Sequence, residues 1–148
     1  AIPLFQFRYH KFRHSLPNLF FTLTTILVNF SLAFAIVLAS DAAVQYKFGI
    51  LQWIAMPTWL IAILGLLGLD FIGAYLVHYI QHKIKWMWRF HMVHHADTKV
   101  DTTTANRHHP GESVFRAVFT IMGVLIMGAP IWLVFLYQSC SVVLSQFN

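Results

Sequence analysis

The chain has 148 residues, of which 58% are hydrophobic and only 10% are charged, whereas soluble domains carry about 25% charged residues. With a mean hydropathy of +0.64 and 14 Phe, 5 Trp and 5 Tyr, the chain has too little polar surface to cover a globule in water. This composition excludes an ordinary soluble domain and predicts an integral membrane protein. The net charge of +5 indicates membrane sidedness and anionic headgroups rather than nucleic acid, and a lone Cys140 excludes a disulfide within the chain.

Three charge-free runs predict the membrane spans. They cover residues 19–39, 48–69 and 117–148, and each reaches the roughly 20 residues that a helix needs to cross the hydrocarbon. The runs lack the alternation of a barrel strand, and a helix satisfies its own backbone in lipid. The first run is too long for the apolar region of a signal peptide. We therefore predict an all-α membrane helical bundle with spans near 19–39, 57–79 and 114–148.

Prolines set the expected helix limits. Pro57 fits a helix N-terminus better than a helix interior, so the second span is predicted to run from about Pro57 to His82. The last run is interrupted by Gly128, Ala129 and Pro130. It is therefore either one long kinked helix or two helices that form a hairpin.

The basic residues predict which side of the membrane each segment faces. Nine of the ten Lys and Arg residues lie on segments that two crossings return to the same side, and Lys47 alone lies between the first two spans. The positive-inside tendency makes that side the cytoplasm. Residues 79–112 are then a polar cytoplasmic cap within a single membrane domain, residues 1–148.

Histidines carry the chemistry of this cap. His78 and His82 are four residues apart and share one helix face, and the His91 group has the same property with spacings of three and four. Neutral imidazole binds metals, so the pattern predicts a multi-histidine metal site. Seven of the nine histidines fall within 32 residues: His78, His82, His91, His94, His95, His108 and His109.

Missing motifs narrow the metal chemistry. A zinc protease needs HExxH, but Tyr79 stands where its Glu would be. A carboxylate-bridged di-iron bundle needs several Glu residues, whereas Glu112 is the only one. An all-nitrogen site for Fe, Zn, Cu or Ni remains. Asp70, a costly carboxylate in an apolar helix, either supports this site indirectly or makes an interhelical hydrogen bond.

Two other classes of protein can also carry histidines in a membrane. A haem-binding electron carrier would use single histidines on facing helices, which five histidines at one water interface do not resemble. A non-catalytic metal-binding or metal-transport protein would place ligands along a path through the spans, yet Asp70 is the only ionisable group well inside one. Both remain alternatives to an enzyme.

The histidine motifs resemble those of a known superfamily. Residues 69–82, 88–95 and 101–112, with the motifs HYIQH, HMVHH and RHHPGE, closely resemble the fatty acid hydroxylase and sterol desaturase superfamily of integral-membrane, histidine-box di-iron oxygenases. The chain departs from the superfamily at Tyr79 and Met92, where Arg is frequent, and at His108, where the residue is often aromatic.

The resemblance implies an O2-dependent hydroxylase or desaturase that uses two iron ions on a fatty acyl or sterol-like membrane lipid. Electrons would come from a separate cytochrome b5-like or ferredoxin-like donor, since the sequence has no Gly-rich nucleotide-binding fingerprint. No catalytic residue is expected apart from the metal ligands. The implied ligands are His78 and His82 in the first box, His91, His94 and His95 in the second, and His109 in the R-x-H-P-x-E segment. The candidates for indirect support or structural roles are Asp70, Asp101, Arg107 and Glu112.

The ends of the sequence suggest a fragment. The chain begins at Ala1 rather than Met and stops in an apolar stretch at Phe147 and Asn148. The superfamily has a third histidine box closer to the C-terminus, which these residues do not include. We therefore expect a C-terminally truncated domain that is inactive alone.

Overall fold

The computed structural model describes residues 11–98 and 103–145, and within these ranges all regular structure is helical. A π-helical segment, Phe71–Leu76, joins the third and fourth α-helices, and a 3-10 turn, Thr104–Asn106, precedes the sixth. The α-helices are α1 (Lys11–Gln45), α2 (Ile50–Trp53), α3 (Thr58–Asp70), α4 (Val77–Lys83), α5 (Lys85–His95), α6 (Pro110–Met127) and α7 (Ile131–Ser145).

The first helix, α1, is suited to lipid along most of its length. Its 35 residues extend for about 52 Å, more than the ~30 Å hydrocarbon core. Large apolar side chains such as Phe30 and Phe34 are exposed. The hydroxyls of Thr22 and Thr25 donate to carbonyls one turn earlier, so these polar groups are satisfied without water.

A continuous helical segment, Thr58–Lys83, forms the second long element. It begins after Pro57, which caps α3 in an extended conformation, as predicted. Its middle is the π segment, Phe71–Leu76, which the sequence analysis did not predict. The segment ends at Ile84, whose extended backbone separates α4 from α5.

Two separate helices occupy the last apolar run. Gly128 adopts a left-handed conformation with φ 70° and ends α6, and α7 begins after Pro130. A single kinked helix is therefore not formed. The α6 helix packs mainly along α1 and the π segment, whereas α7 packs mainly against α3.

Backbone contact closes one end of the bundle, which we call the glycine end (Gly49, Gly128 and the residues around them). A Cβ atom on Gly49 would overlap the backbone of Gly128, so both positions need glycine. Gln52 Nε2 donates to the Gly128 carbonyl at 2.7 Å, and Ser40 Oγ donates to the Ala129 carbonyl at 2.8 Å. The end of α1, α2 and the α6–α7 turn therefore meet here, next to a core formed by Leu51, Leu69, Val124, Met127, Ala129, Leu133, Val134 and Tyr137.

The opposite end, which we call the histidine end, holds α4, α5 and residues 103–109. There Asn18 near the start of α1 contacts Asp97 and Thr103. Because α1 and α6 each connect this end to the glycine end, they run in the same direction, and α3 with its continuation returns to the histidine end.

Among the described residues, three helical segments are long and apolar enough to cross a membrane: Phe12–Trp53, Thr58–Lys83 and Pro110–Met127. The 15 residues of α7 are shorter. The predicted fold class, an all-α membrane bundle that carries a histidine-rich potential metal site, is confirmed.

Candidate metal centre

Four histidines converge at the histidine end, and we call them the four-histidine cluster. His78 and His82 come from α4, His91 and His95 come from α5, and one ring nitrogen of each lies within 4.8 Å of the others. The Nε2 atoms of His78 and His82 are 2.9 Å apart, and those of His91 and His95 are 3.0 Å apart. Two nitrogens bound at right angles to one metal at ~2.1 Å would lie about 3 Å apart. These spacings therefore fit a shared metal ion.

Two local features position these rings. The break at Ile84 lets α5 fold back against α4, so that two helical pairs can face each other. The π segment lies just before His78. The extra residue of such a segment rotates all later residues of the helix by about 100°, and this helps to set the direction of His78 and His82. Trp88 packs over the cluster, with its ring stacked on His95 at 5.7 Å and tilted against His82 at 5.0 Å.

A buried carboxylate supports the most buried ring of the cluster. His91 is 1% exposed and Glu112 is 0% exposed, and His91 Nδ1 lies 3.1 Å from Glu112 Oε1. An ionised carboxylate only accepts hydrogen bonds, so Nδ1 carries the proton and Nε2 keeps its lone pair. That lone pair faces His95. Carboxylates orient metal-bound histidines in this way in many proteins.

A second histidine pair lies beside the cluster. The rings of His94 and His108 stack with centroids 4.5 Å apart and an interplanar angle of 10°. The His94 ring is 5.8 Å from that of His91 and 5.2 Å from that of His95, so His94 adjoins the four-histidine cluster without belonging to it. His108 Nδ1 is 3.2 Å from the same Glu112 oxygen that faces His91.

Burial favours the uncharged form of two of these rings. Desolvation by burial lowers the pKa of His94 to about 4. Desolvation by burial also lowers the pKa of His95. Both rings are therefore neutral near pH 7, which is the form that binds a metal.

The predicted ligand His109 lies outside the cluster. It is the N-cap of α6, and its Nδ1 accepts a hydrogen bond from the Gly111 N–H at 3.0 Å. Its ring packs against Phe90 at 5.0 Å. The Nδ1 lone pair is thus used by the helix end rather than directed at a metal.

The remaining predicted residues have different surroundings. Arg107 donates to Asn18 Oδ1 at 3.2 Å and lies 3.6 Å from Asp97 Oδ2, so it joins the cap to α1. Within residues 11–98 and 103–145, no hydrogen bond or ion pair links Asp70 to a histidine. Asp101 lies outside the described residues.

Sequence reasoning missed the network around Asn18. This buried side chain donates to Thr103 Oγ1 at 2.8 Å and to Asp97 Oδ2 at 3.3 Å, and Thr104 donates to the same Asp97 oxygen at 2.7 Å. An amide in an otherwise apolar helix was the available signal, because buried polar groups need partners.

An open cavity of about 200 Å³ adjoins the cluster. It is lined by His82, Lys83, Lys85 and Trp88. The cavity therefore combines one histidine of the cluster with two basic side chains and an aromatic surface.

Together these features define a class: a helical membrane protein whose histidines converge at one end as a potential metal site. The sequence profile described as fatty acid hydroxylase matches residues 62–148, which is more than half of the chain and includes every histidine of the site. The chain belongs to the fatty acid hydroxylase family, and the resemblance noted from its motifs is confirmed.

One curated protein of this superfamily is similar over part of its length. The chain is 29% identical over 80 residues to ornithine lipid hydroxylase OlsE of Rhizobium tropici. The match covers 54% of this chain and 23% of that protein, so the chain spans less than a quarter of the relative. No solved structure gives a significant match.

Proposed function

We propose that this chain contributes the metal-binding core of an O2-dependent hydroxylase or desaturase that acts on a fatty acyl or sterol-like membrane lipid. The observation that carries the proposal is the convergence of four imidazole nitrogens within 4.8 Å, at the end of the long apolar segment Thr58–Lys83 and on the neighbouring α5. The family is consistent with lipid oxidation, and the similar protein is named as a lipid hydroxylase.

The donors fit iron, because imidazole suits Fe and the 2.9 and 3.0 Å nitrogen–nitrogen spacings suit two nitrogens bound to one ion. Iron ions, when bound, would supply the redox chemistry that lets O2 attack a C–H bond. We propose that His78, His82, His91 and His95 hold one of two ions and that His94 serves the second. His109 is left out of this set because its Nδ1 caps α6.

The other residues of the site prepare these ligands. Glu112 keeps the proton of His91 on Nδ1, so that Nε2 is available to the metal. Trp88 shields one side of the cluster from water. Exposed apolar side chains on the helices offer a lipid chain access from the bilayer.

Sidedness and electron supply belong to the same proposal. The excess of basic residues on segments at the histidine end supports a cytoplasmic position for this end. The separate electron donor, a cytochrome b5-like or ferredoxin-like protein, would then reach the cluster from water, where Lys83 and Lys85 border the open cavity.

We also propose that the 148-residue chain does not turn over lipid by itself. The four-histidine cluster and His94 provide five imidazoles, whereas two ions of four to six coordination need about eight or more donors. Comparing lipid oxidation by the isolated chain with that by the protein as its cells make it tests this point, and equal turnover would contradict it.

The function is tested in the cells that make the protein. We expect the cells to contain a membrane lipid that has taken up oxygen from isotopically labelled O2 or has lost two hydrogens. This oxidised lipid should disappear when His95→Ala replaces the natural protein. The His109→Asn variant, altered at a histidine that caps α6 outside the four-histidine cluster, is the control. An unchanged lipid profile in the His95→Ala cells would refute the proposed function.

A further inference from the structure

His108 lies close to Glu112 as well as packing against His94. Glu112 Oε1 faces two imidazole nitrogens, His91 Nδ1 at 3.1 Å and His108 Nδ1 at 3.2 Å. His91 Nδ1 makes a hydrogen bond to this oxygen, whereas the contact of His108 Nδ1 is close but is not a hydrogen bond. For His91 this arrangement leaves Nε2 directed at the four-histidine cluster.

The His108 ring has a different environment from that of His91. Its Nδ1 is close to Glu112 Oε1 but is buried without a hydrogen-bond partner among the described residues. The ring lies face to face with His94 at 4.5 Å, a centroid separation similar to the 4.7–4.9 Å between several rings of the four-histidine cluster.

Three buried atoms at this position have no hydrogen-bond partner within the described residues. They are His94 Nδ1, His108 Nδ1 and Glu112 Oε2. Leaving such groups unpaired is costly, and a metal ion would satisfy both a nitrogen and a carboxylate oxygen. His94 lies 5.2–5.8 Å by ring centroid from His91 and His95, so such an ion would sit beside the cluster rather than within it.

We infer that His94 and His108, backed by Glu112, form a second metal-binding position, and that His108 is a metal ligand in this chain. The inference rests on the proposed metal centre but adds a ligand that the histidine boxes do not include. It also distinguishes two adjacent residues, because His109 uses its Nδ1 to cap α6.

Cobalt binding to the purified chain in detergent separates the two neighbours. A thiolate bound to Co2+ gives an intense near-ultraviolet charge-transfer absorption that a free thiol does not. We expect this absorption in His108→Cys after addition of Co2+, and none in the matched His109→Cys variant. Cys140 is present in every variant and is corrected for with the unaltered chain.

Metal content provides an independent readout. We expect the unaltered chain and His109→Asn, which preserves an N-cap residue, to bind two Co2+ ions. For His108→Asn we expect affinity at the second position to fall by about tenfold or more, with the first ion retained. Circular dichroism checks helicity, and if His108→Asn does not fold, the His108→Cys spectrum decides.

A further cysteine variant distinguishes failure of the His108 inference from failure of the proposed metal centre. His82→Cys should also give the charge-transfer absorption, because His82 belongs to the four-histidine cluster. If His82→Cys gives it while His108→Cys does not, and His108→Asn keeps both ions, then His108 is not a ligand and only this inference fails. If the unaltered chain binds no Co2+, the proposed metal centre fails as well.

Discussion

The two ends of the bundle are built by different means. At the glycine end, the backbone of Gly49 lies against that of Gly128, and both residues have positive φ angles, 103° and 70°. At the histidine end, side chains from α1, α4, α5 and α6 meet through hydrogen bonds and ring contacts. The first end depends on the absence of side chains, and the second depends on their chemistry.

This difference separates folding from chemistry. A larger side chain at the glycine end should disturb helix packing. In the molecules that still fold, the metal-binding nitrogens at the histidine end should be unchanged. A change of charge or hydrogen bonding at the histidine end should alter metal binding while the helices persist. Substitutions at each end can therefore be designed to affect one property and spare the other.

The largest effect is expected at the glycine end. Gly49→Ala combines an unfavourable φ with overlap against Gly128, so we expect a loss of about 3 kcal/mol or more in unfolding free energy. Thermal unfolding in detergent measures it. Gly123→Ala is the control, since its Cβ would lie an ordinary 3.4 Å from Ile72 Cβ. Equal stability of both variants would contradict this account of the glycine end.

At the histidine end, we expect Glu112→Gln to weaken metal binding by about 10–100-fold, because the neutral amide no longer fixes the His91 proton as firmly. Helical content should be retained. Titration with Fe2+ under anaerobic conditions measures the affinity, and Ser113→Ala, at the next buried position, is the control. An unaltered affinity would show that Glu112 does not support the metal ligand His91.

The Asn18 network should contribute stability to the histidine end. Asn18→Ala removes an amide that contacts Thr103 and Arg107, and we expect a loss of about 1–3 kcal/mol because its buried partners lose a hydrogen bond. Asn29→Ala changes an exposed residue of the same helix and should have little effect. Similar unfolding temperatures for both variants would show that the network is not stabilising.

A smaller effect concerns pH. Because burial lowers the pKa of His94 from its ordinary 6.5 to about 4 in the folded chain, the unfolded chain binds a proton between these pH values that the folded chain excludes. The stability of the metal-free chain should therefore be highest above about pH 6.5 and fall as the pH drops towards 4. Unfolding curves across this range measure it, and His94→Gln should flatten them. A steeper fall in the variant would contradict the assignment.

Much of the fold follows from local sequence properties. The apolar runs, Pro57 and the break at Gly128 act over one helix or one turn, so the all-α membrane fold was predictable. The π segment was not, because nothing in its FIGAYL sequence distinguishes it from an α-helix. Its geometry depends on packing against α6, where a Cβ on Gly73 would meet Thr120 Oγ1 at 3.4 Å.

The candidate site was predictable only in part. Spacings of four residues indicated the pairs His78–His82 and His91–His95, since each pair shares a helix face. The difference between His108 and His109 depends on the local backbone before α6 rather than on spacing. The contact between Asn18 and Asp97 joins residues 79 positions apart, which no local pattern can reveal.

The central claim is that the four-histidine cluster binds iron through its imidazoles. X-ray absorption of the chain loaded with one equivalent of Fe2+ under anaerobic conditions measures this directly. We predict iron coordinated mainly by imidazole nitrogens at about 2.1 Å, with fewer nitrogens per iron in His91→Ala and no change in His109→Asn. Iron surrounded only by oxygen, identical spectra for His91→Ala and the unaltered chain, or the optical spectrum of a bound haem would contradict the claim.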